Sequence, residues 1–307
     1  MTDPERERIH ELLLYHSQVI GSARLTRLAL ESLRQAIVEL RFSPDELERQ
    51  ILDLVVEVRQ AVRDARPRPV PLVHLLRSFE AELQESLENR SFSDLRGKAV
   101  ELLNEKIARY EAKRDAVTRH GLEHLADGET IIVHSASSVV TNVLLEAHEK
   151  LGRIFMVYVL QLDPVRTPLV TRALEDAGIP HLVVPVHDLC HYQDQIDKIF
   201  IGALTITPDR KMVAPLGTAN VLSICHLSGI RSYLFANTLH YSTGTGLSQR
   251  IDRTSREVEE PEAHFSVTSH SHDLVELSLI DVIVNEHGIL DLEELDREVE
   301  PGPASPS

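Results

Sequence analysis

The chain has 307 residues, 42% of them hydrophobic, enough to bury a substantial core in one large or two moderate domains. A formal net charge of −16 excludes general binding to a nucleic-acid backbone, which depends on lysine and arginine neutralising phosphates. No stretch approaches the roughly 18 apolar residues of a membrane span, and Cys190 and Cys225 supply neither a disulfide framework nor a metal spacing.

In chain order, the N-terminus "MTDPERERIHELLLYHSQ" carries both signs of charge and lacks a basic-then-apolar leader pattern. A reduced, cytoplasmic protein is expected. Leu25, Leu28, Leu33, Ile37 and Leu40 recur at helical spacing and predict one apolar helix face. "RFSPDELERQ" then reads as a helix start, with Ser43 as N-cap, Pro44 in the first turn and acids following. Leu47, Ile51, Leu54, Val55, Val58 and Val62 continue that periodicity. Three prolines within "ARPRPVPL" (65–72) make a connector, and two further helices are predicted near 72–89 and 94–125.

From Thr130 the pattern changes. "TIIV" (130–133), "RIFMVYVL" (153–160), "HLVVPV" (181–186), "KIFIGA" (198–203) and "RSYLFA" (231–236) are short apolar runs separated by helical periods. Buried runs alternating with helices predict a parallel sheet covered on both faces, hence an α/β fold. The tail "PGPASPS" has a disorder-prone composition. The expected organisation is a helical domain over 1–126, an α/β domain over 127–298 and a disordered tail over 299–307.

Ligands of open parallel sheets bind at the carboxyl ends of the strands, which gathers 134–138, 161–166, 187–191, 204–216 and 237–245 along one edge. At that edge "IIVHSASSVVTNVLLEA" (131–147) reads as strand, small-residue turn and helix start, an arrangement that cradles anions. Ser135, Ser137 and Ser138 are candidate ligand-binding residues there, with plain N-capping as the alternative. His134, at the strand end, is either a proton donor or a packed histidine. "VHDLCHY" (His187, Asp188, Cys190, His191) and "SHSHD" (His270, His272, Asp273) contain zinc-ligand types without a zinc-finger or HExxH spacing, so no metal is expected and solvated loop histidines are the reading. His134, Asp188 and Ser135 can be written as a hydrolase triad, but no G-x-S-x-G elbow accompanies them. Gly244 and Gly246 in "STGTGLSQR" read as linker, and Arg24, Arg27, Arg34 and Arg41 as either a basic stripe or a solvated face.

Four stretches occur in order: "VIGSARLTRLALESLRQAIVELRFS", "DGETIIVHSASSVVTNVLLEA", "FIGALTITPDRKMVAPLGTANVLSICHLSGIRSYLFANTLHYS" and "HDLVELSLIDVIVNEHGIL". Together they resemble the family of translation initiation factor 2B regulatory subunits (alpha, beta, delta), a superfamily shared with methylthioribose-1-phosphate isomerase and ribose-1,5-bisphosphate isomerase. The resemblance runs from about residue 10 to 298. It implies a helical N-terminal domain, a Rossmann-like C-terminal domain and dimers formed through the latter.

The isomerase members carry a cysteine just after the first strand, where this chain has Val133, His134 and Ser135. Their glycine-alanine-aspartate pattern becomes Gly202, Ala203 and Leu204; their asparagine and lysine become Ala214 and Pro215, ahead of Leu216, Gly217 and Thr218. The glutamate-serine-arginine-proline of the ribose-bisphosphate enzymes becomes Gln161, Leu162, Asp163 and Pro164. Sugar-phosphate isomerisation needs a positioned acid/base pair, and losing one such group costs about 10²–10⁴-fold in rate. Asp163 in place of an arginine repels a phosphate. The resemblance therefore implies a non-catalytic, homodimeric regulatory module without cofactor. Ser135, Ser137, Ser138, Gly217 and Thr218 would line a surviving sugar-phosphate or nucleotide pocket, and a protein partner is a further expectation. The alternative is an active isomerase with a rearranged site, in which His134, His187 or Asp188 replaces the missing groups.

Overall fold

The computed structural model describes residues 23–41, 44–65, 67–89, 94–134, 136–161, 166–242, 249, 251–260 and 263–290. Gly21, Ser22, Ser43, Ser135, Asp163, Gly244, Gly246 and the tail 299–307 lie outside the described residues.

Four helices come first: α1 over 23–39, α2 (Pro44–Asp64), α3 (Val70–Glu88) and α4 (Leu95–Leu122). Their apolar faces bury Leu30, Leu33, Ile37, Ile51, Val55, Phe79, Leu103 and Tyr110 in one core. In α1 the buried face runs through Thr26, Leu30, Leu33 and Ile37, while Leu28 is 43% exposed. The expected stripe is thus rotated, because i, i+3 and i+4 steps from Leu30 fit the face better than Leu28 does. Helix α4 is shared: its first half (Ala99, Leu102, Leu103) joins the helical core, whereas Val117 packs with the residues beneath the sheet.

The apolar runs become β1 (Thr130–Val133), β2 (Met156–Gln161), β3 (His181–Pro185) and β4 (Lys198–Gly202). Between them lie α5 (Ser138–Glu149) and α6 (Arg166–Asp176). Two short strands, β5 (Thr205–Ile206) and β6 (Lys211–Ala214), precede α7 (Thr218–Leu227) and β7 (Arg231–Phe235). The C-terminal part adds β8 (Arg253–Glu260), β9 (Ala263–His270), β10 (Asp273–Glu276), β11 (Val282–Asn285) and β12 (Gly288–Leu290).

The main sheet has the order β12-β11-β7-β4-β1-β2-β3 and is parallel except for β12. Its faces are apolar on both sides. Val133, Val143, Leu144, Phe200 and Phe235 pack on one, and Ile132, Ile199, Ile201, Val221 and Leu234 on the other. From β1 the chain steps outward through β2 and β3, then returns to the other side of β1 as β4. Such a reversal leaves a crevice between the loops that follow β1 and β4. Two antiparallel units complete the described residues: β10-β6-β5 beside that crevice, and the ribbon β8–β9.

Candidate functional site

A cavity of about 70 Å³ occupies this crevice. It is built from Ala136, Ser137, Ser138 and Val139 at the start of α5, and from Gly202, Ala203 and Leu204 after β4. Arg166 at the start of α6, Phe235 at the end of β7, His240 after it, and Ser271 and His272 before β10 add further walls. Ala23, Pro67 and Arg114 reach it from the helical layer.

The turn after β1 explains the first wall. Ser137 is the N-cap of α5; its Oγ accepts from Val140 N at 3.5 Å, and its carbonyl oxygen from the Thr141 hydroxyl at 3.0 Å. The close fit demands glycine opposite, because a Cβ on Gly202 would stand 2.4 Å from Ser137 Oγ and 2.7 Å from its Cβ. Ser138 Oγ accepts a hydrogen bond from Arg114 Nη2 at 3.1 Å. That bond ties α4 to the start of α5 and brings a guanidinium to a helix N-terminus, whose free N–H groups already favour an anion. Arg166 supplies a second guanidinium, and no carboxylate is among the described lining residues.

His134 lies just behind the cavity. It is 1% exposed, and neither ring nitrogen has a hydrogen-bond partner among the described residues. Burial, reinforced by Arg166, pushes its pKa down to about 4, so the ring is neutral at pH 7. Gly217, which starts α7 with φ +88°, faces the same ring: a Cβ there would lie 3.8 Å from His134 Cε1. Thr218 is 2% exposed and its hydroxyl is turned onto the Pro215 carbonyl at 2.6 Å. Ser137 and Ser138 therefore meet in the cavity wall, whereas His134, Gly217 and Thr218 are not among its lining residues. Asp188 lies elsewhere, in the 3₁₀ turn that follows the edge strand β3, where its carboxylate is 3.8 Å from the solvent-exposed His187.

Four wall residues carry no obvious signal in the sequence. Arg114 looks like any solvated arginine of a long helix, and Arg166 follows a turn without a recognisable motif. His240 belongs to "ANTLHY", which reads as strand end. His272, expected as a solvated loop histidine, is 2% exposed, whereas His270 is exposed. No group of three or more metal-ligating side chains occurs among the described residues.

His240 is held from several directions. It is 5% exposed, and its Nδ1 lies 2.8 Å from Asn237 Oδ1 and 3.2 Å from the Asn237 carbonyl oxygen. Burial pushes its pKa down to about 4 against the opposing pull of these bonds and of Glu286. The turn that carries it is anchored on Glu286, which accepts from Thr238 N at 2.9 Å, from the Thr238 hydroxyl and from Lys113 Nζ of α4. Burial raises the Glu286 pKa, but these donors outweigh it and the net shift is downward, so the carboxylate stays charged. On the other side His74 Nε2 bonds the Tyr241 carbonyl at 2.9 Å.

Sheet order, crevice and cavity together define a Rossmann-type α/β protein with an anion-receptive crevice under a helical layer. The particular family follows from comparison. Residues 18–292 match the initiation factor 2 subunit family, and the chain belongs to it. It is similar to the ribose 1,5-bisphosphate isomerase of Archaeoglobus fulgidus, with 23% identity over 279 residues, covering 89% of this chain and 86% of that protein. In fold it is similar to the Pyrococcus horikoshii OT3 translation initiation factor eIF-2B (TM-score 0.73, 21% identity, 96% of this chain and 99% of that one). It is also similar in fold to a chain of the tetrameric eIF2B-beta2-delta2 complex from C. thermophilum (TM-score 0.68, 16% identity, 96% and 93%). The family thus includes both isomerases and subunits of oligomeric initiation-factor assemblies.

Proposed function

We propose that this chain is a non-catalytic member of the family, a homodimeric regulatory module of the cytoplasm that binds a phosphorylated small molecule, a sugar phosphate or a nucleotide. One observation carries the reading: the crevice keeps two guanidiniums and a helix N-terminus, while its described lining has Leu204 and no carboxylate, Asp163 lying outside the described residues. Leu204 stands where, by the resemblance, the isomerase members carry aspartate. An anion can be held there, but a carbon-bound proton meets no carboxylate among the described lining residues. The helical domain, residues 1–126, closes the cavity through Ala23, Pro67 and Arg114.

The competing reading, an active isomerase with a rearranged site, draws support from the isomerase relative at 23% identity. It needs His134, His187 or Asp188 at the reacting carbons. His134 is sealed behind Gly217, and His187 and Asp188 sit on the 3₁₀ turn beyond β3. Ser137 and Ser138 at the wall fit a binding role better.

The test is a thermal-shift titration with ribose 5-phosphate, adenosine monophosphate and inorganic phosphate, run alongside an isomerase assay on ribose 1,5-bisphosphate. A ligand that binds only the folded state raises Tm by mass action, about 2.7 kcal/mol of stabilisation at a hundredfold excess over Kd. Saturable stabilisation without turnover is expected. Turnover at an enzymatic rate overturns the reading, and so does the absence of any shift.

A further inference from the structure

Two histidines that line the cavity have Nδ1 neighbours of different kinds, a carbonyl oxygen for His240 and a hydroxyl for His272. For His240, Nδ1 sits against the Asn237 carbonyl oxygen, which can only accept. Nδ1 therefore carries the proton and donates, and Nε2 is left with a lone pair on a ring that lines the cavity. For His272 the neighbour is a hydroxyl: Ser271 Oγ lies 2.8 Å from Nδ1 and already accepts from Asp252 N at 3.0 Å. The arrangement that uses every group has the Ser271 hydroxyl proton donated to His272 Nδ1. His272 Nε2 then bears the hydrogen, and it is buried with no hydrogen-bond partner among the described residues. Both rings are buried, at 5% and 2% exposure, and burial lowers the pKa of each, so both are neutral at pH 7.

We propose that His240 Nε2 and His272 Nε2–H form an acceptor–donor pair that reads hydroxyl or carbonyl groups on the uncharged part of the ligand, apart from the phosphate end held by Arg114, Arg166 and the start of α5. This rests on the binding reading above and adds a specificity to it. The favoured ligand is a phosphorylated hydroxy compound, and phosphate alone satisfies only half of the wall. The pair is preorganised. The His240 turn is clamped by Thr238, Glu286 and Lys113, and Ser271 is fixed by the Asp252 N–H. A buried N–H without a partner costs about 1–3 kcal/mol, so a ligand oxygen that meets it is favoured, whereas a ligand that leaves it unpaired is discriminated against.

Calorimetric titration of ribose 5-phosphate and of inorganic phosphate, on the full chain, separates the two ends. The wild type is expected to prefer ribose 5-phosphate by about tenfold or more, the value of one well-made hydrogen bond. His240→Phe and His272→Phe should each reduce that preference about tenfold and leave phosphate affinity within about twofold. His240→Gln, whose amide oxygen is still an acceptor, should retain most of it. Arg114→Gln should weaken both probes together. Circular dichroism and melting curves confirm that each variant is folded, with His240→Gln as the milder replacement if His240→Phe is not. Phosphate binding with no preference for ribose 5-phosphate in the wild type overturns the pair alone, as does an unchanged preference in both phenylalanine variants. No binding of either probe overturns the pocket reading and the pair with it.

Discussion

At the scale of single residues, the interior histidines set the acid sensitivity of the fold. His134 and His240 have folded-state pKa values near 4 against 6.5 for a free imidazole. Between those values the unfolded chain binds more protons than the native one, so stability rises with pH and is lost as pH falls from about 6.5 towards 4. Each ring accounts for about 2 kcal/mol between pH 7 and pH 5. Glu286, whose pKa is lowered, loses its contribution only at more acid pH, as the carboxylate itself protonates. Urea unfolding at pH 5 and pH 7 should therefore show a marked loss at pH 5. His134→Phe should shrink that difference by about 2 kcal/mol, since the variant has no proton to take up there. An unchanged difference would mean that the ring is neither dry nor neutral in the native state.

Gly202 belongs to the same scale. Its place is dictated by Ser137, whose Cβ would stand 2.7 Å from any added methyl. Rotating the serine hydroxyl away does not relieve a contact with Cβ, so Gly202→Ala must displace the start of α5. A cost of about 1–3 kcal/mol is expected from the overpacking, read as a lowered Tm, together with weaker phosphate binding. Ser137→Ala keeps the backbone where it is and should lose about 1 kcal/mol of capping.

Among the elements, α4 decides most. One of its faces completes the helical core and its far end packs beneath the sheet, while Lys113 and Arg114 reach the two turns that build the cavity. Glu286 is 5% exposed in the ion pair with Lys113. Lys113→Met removes the cation and leaves a buried carboxylate with only the Thr238 donors. Such half-broken pairs cost about 3–5 kcal/mol. Denaturant melts should show a loss of that order, and Glu286→Gln in the Lys113→Met background should recover part of it. No recovery would mean that the lysine acts through packing alone.

The element scale is also where sequence and fold part. The apolar runs of β1, β2, β4 and β7 are visible because a strand covered on both faces must be apolar throughout, whereas β3, apolar in sequence, is an edge strand with Leu182 and Val183 each 41% exposed. Strands β5, β6 and β10 left no such mark: they are short and lack a continuous apolar run, and β10 joins β6 from a distant segment. The β8–β9 ribbon was equally hidden, since "RTSREVEE" is polar at every position but Val258.

At the scale of the whole molecule, that ribbon bears on assembly. Arg256 pairs with Val267 and Val258 with Phe265 on one of its faces, and Phe265 and Val267 are 46% and 41% exposed. Two-stranded ribbons are marginal alone in water, so a covering partner is expected, and a second copy fits the homodimer proposed through the C-terminal domain. Light scattering coupled to size exclusion should report a dimer of the 34.5 kDa chain. Phe265→Asp combined with Val267→Asp should shift it towards monomer without loss of the circular dichroism of the helices. A dimer that survives both charges would place the interface elsewhere.

By itself, the sequence determined the helical beginning, the parallel sheet, the turn after β1 and the family, because these rest on local periodicity and on ordered motifs that burial makes visible. Which side chains share the cavity was decided only by the tertiary structure. Arg114, Arg166, His240 and His272 come from four separate segments and acquire their meaning from one another: a guanidinium at a helix start, and imidazoles dried by their surroundings. His134 shows the converse. At a strand end it reads as either a proton donor or a packed histidine, and burial, which no local pattern encodes, leaves it 1% exposed and neutral.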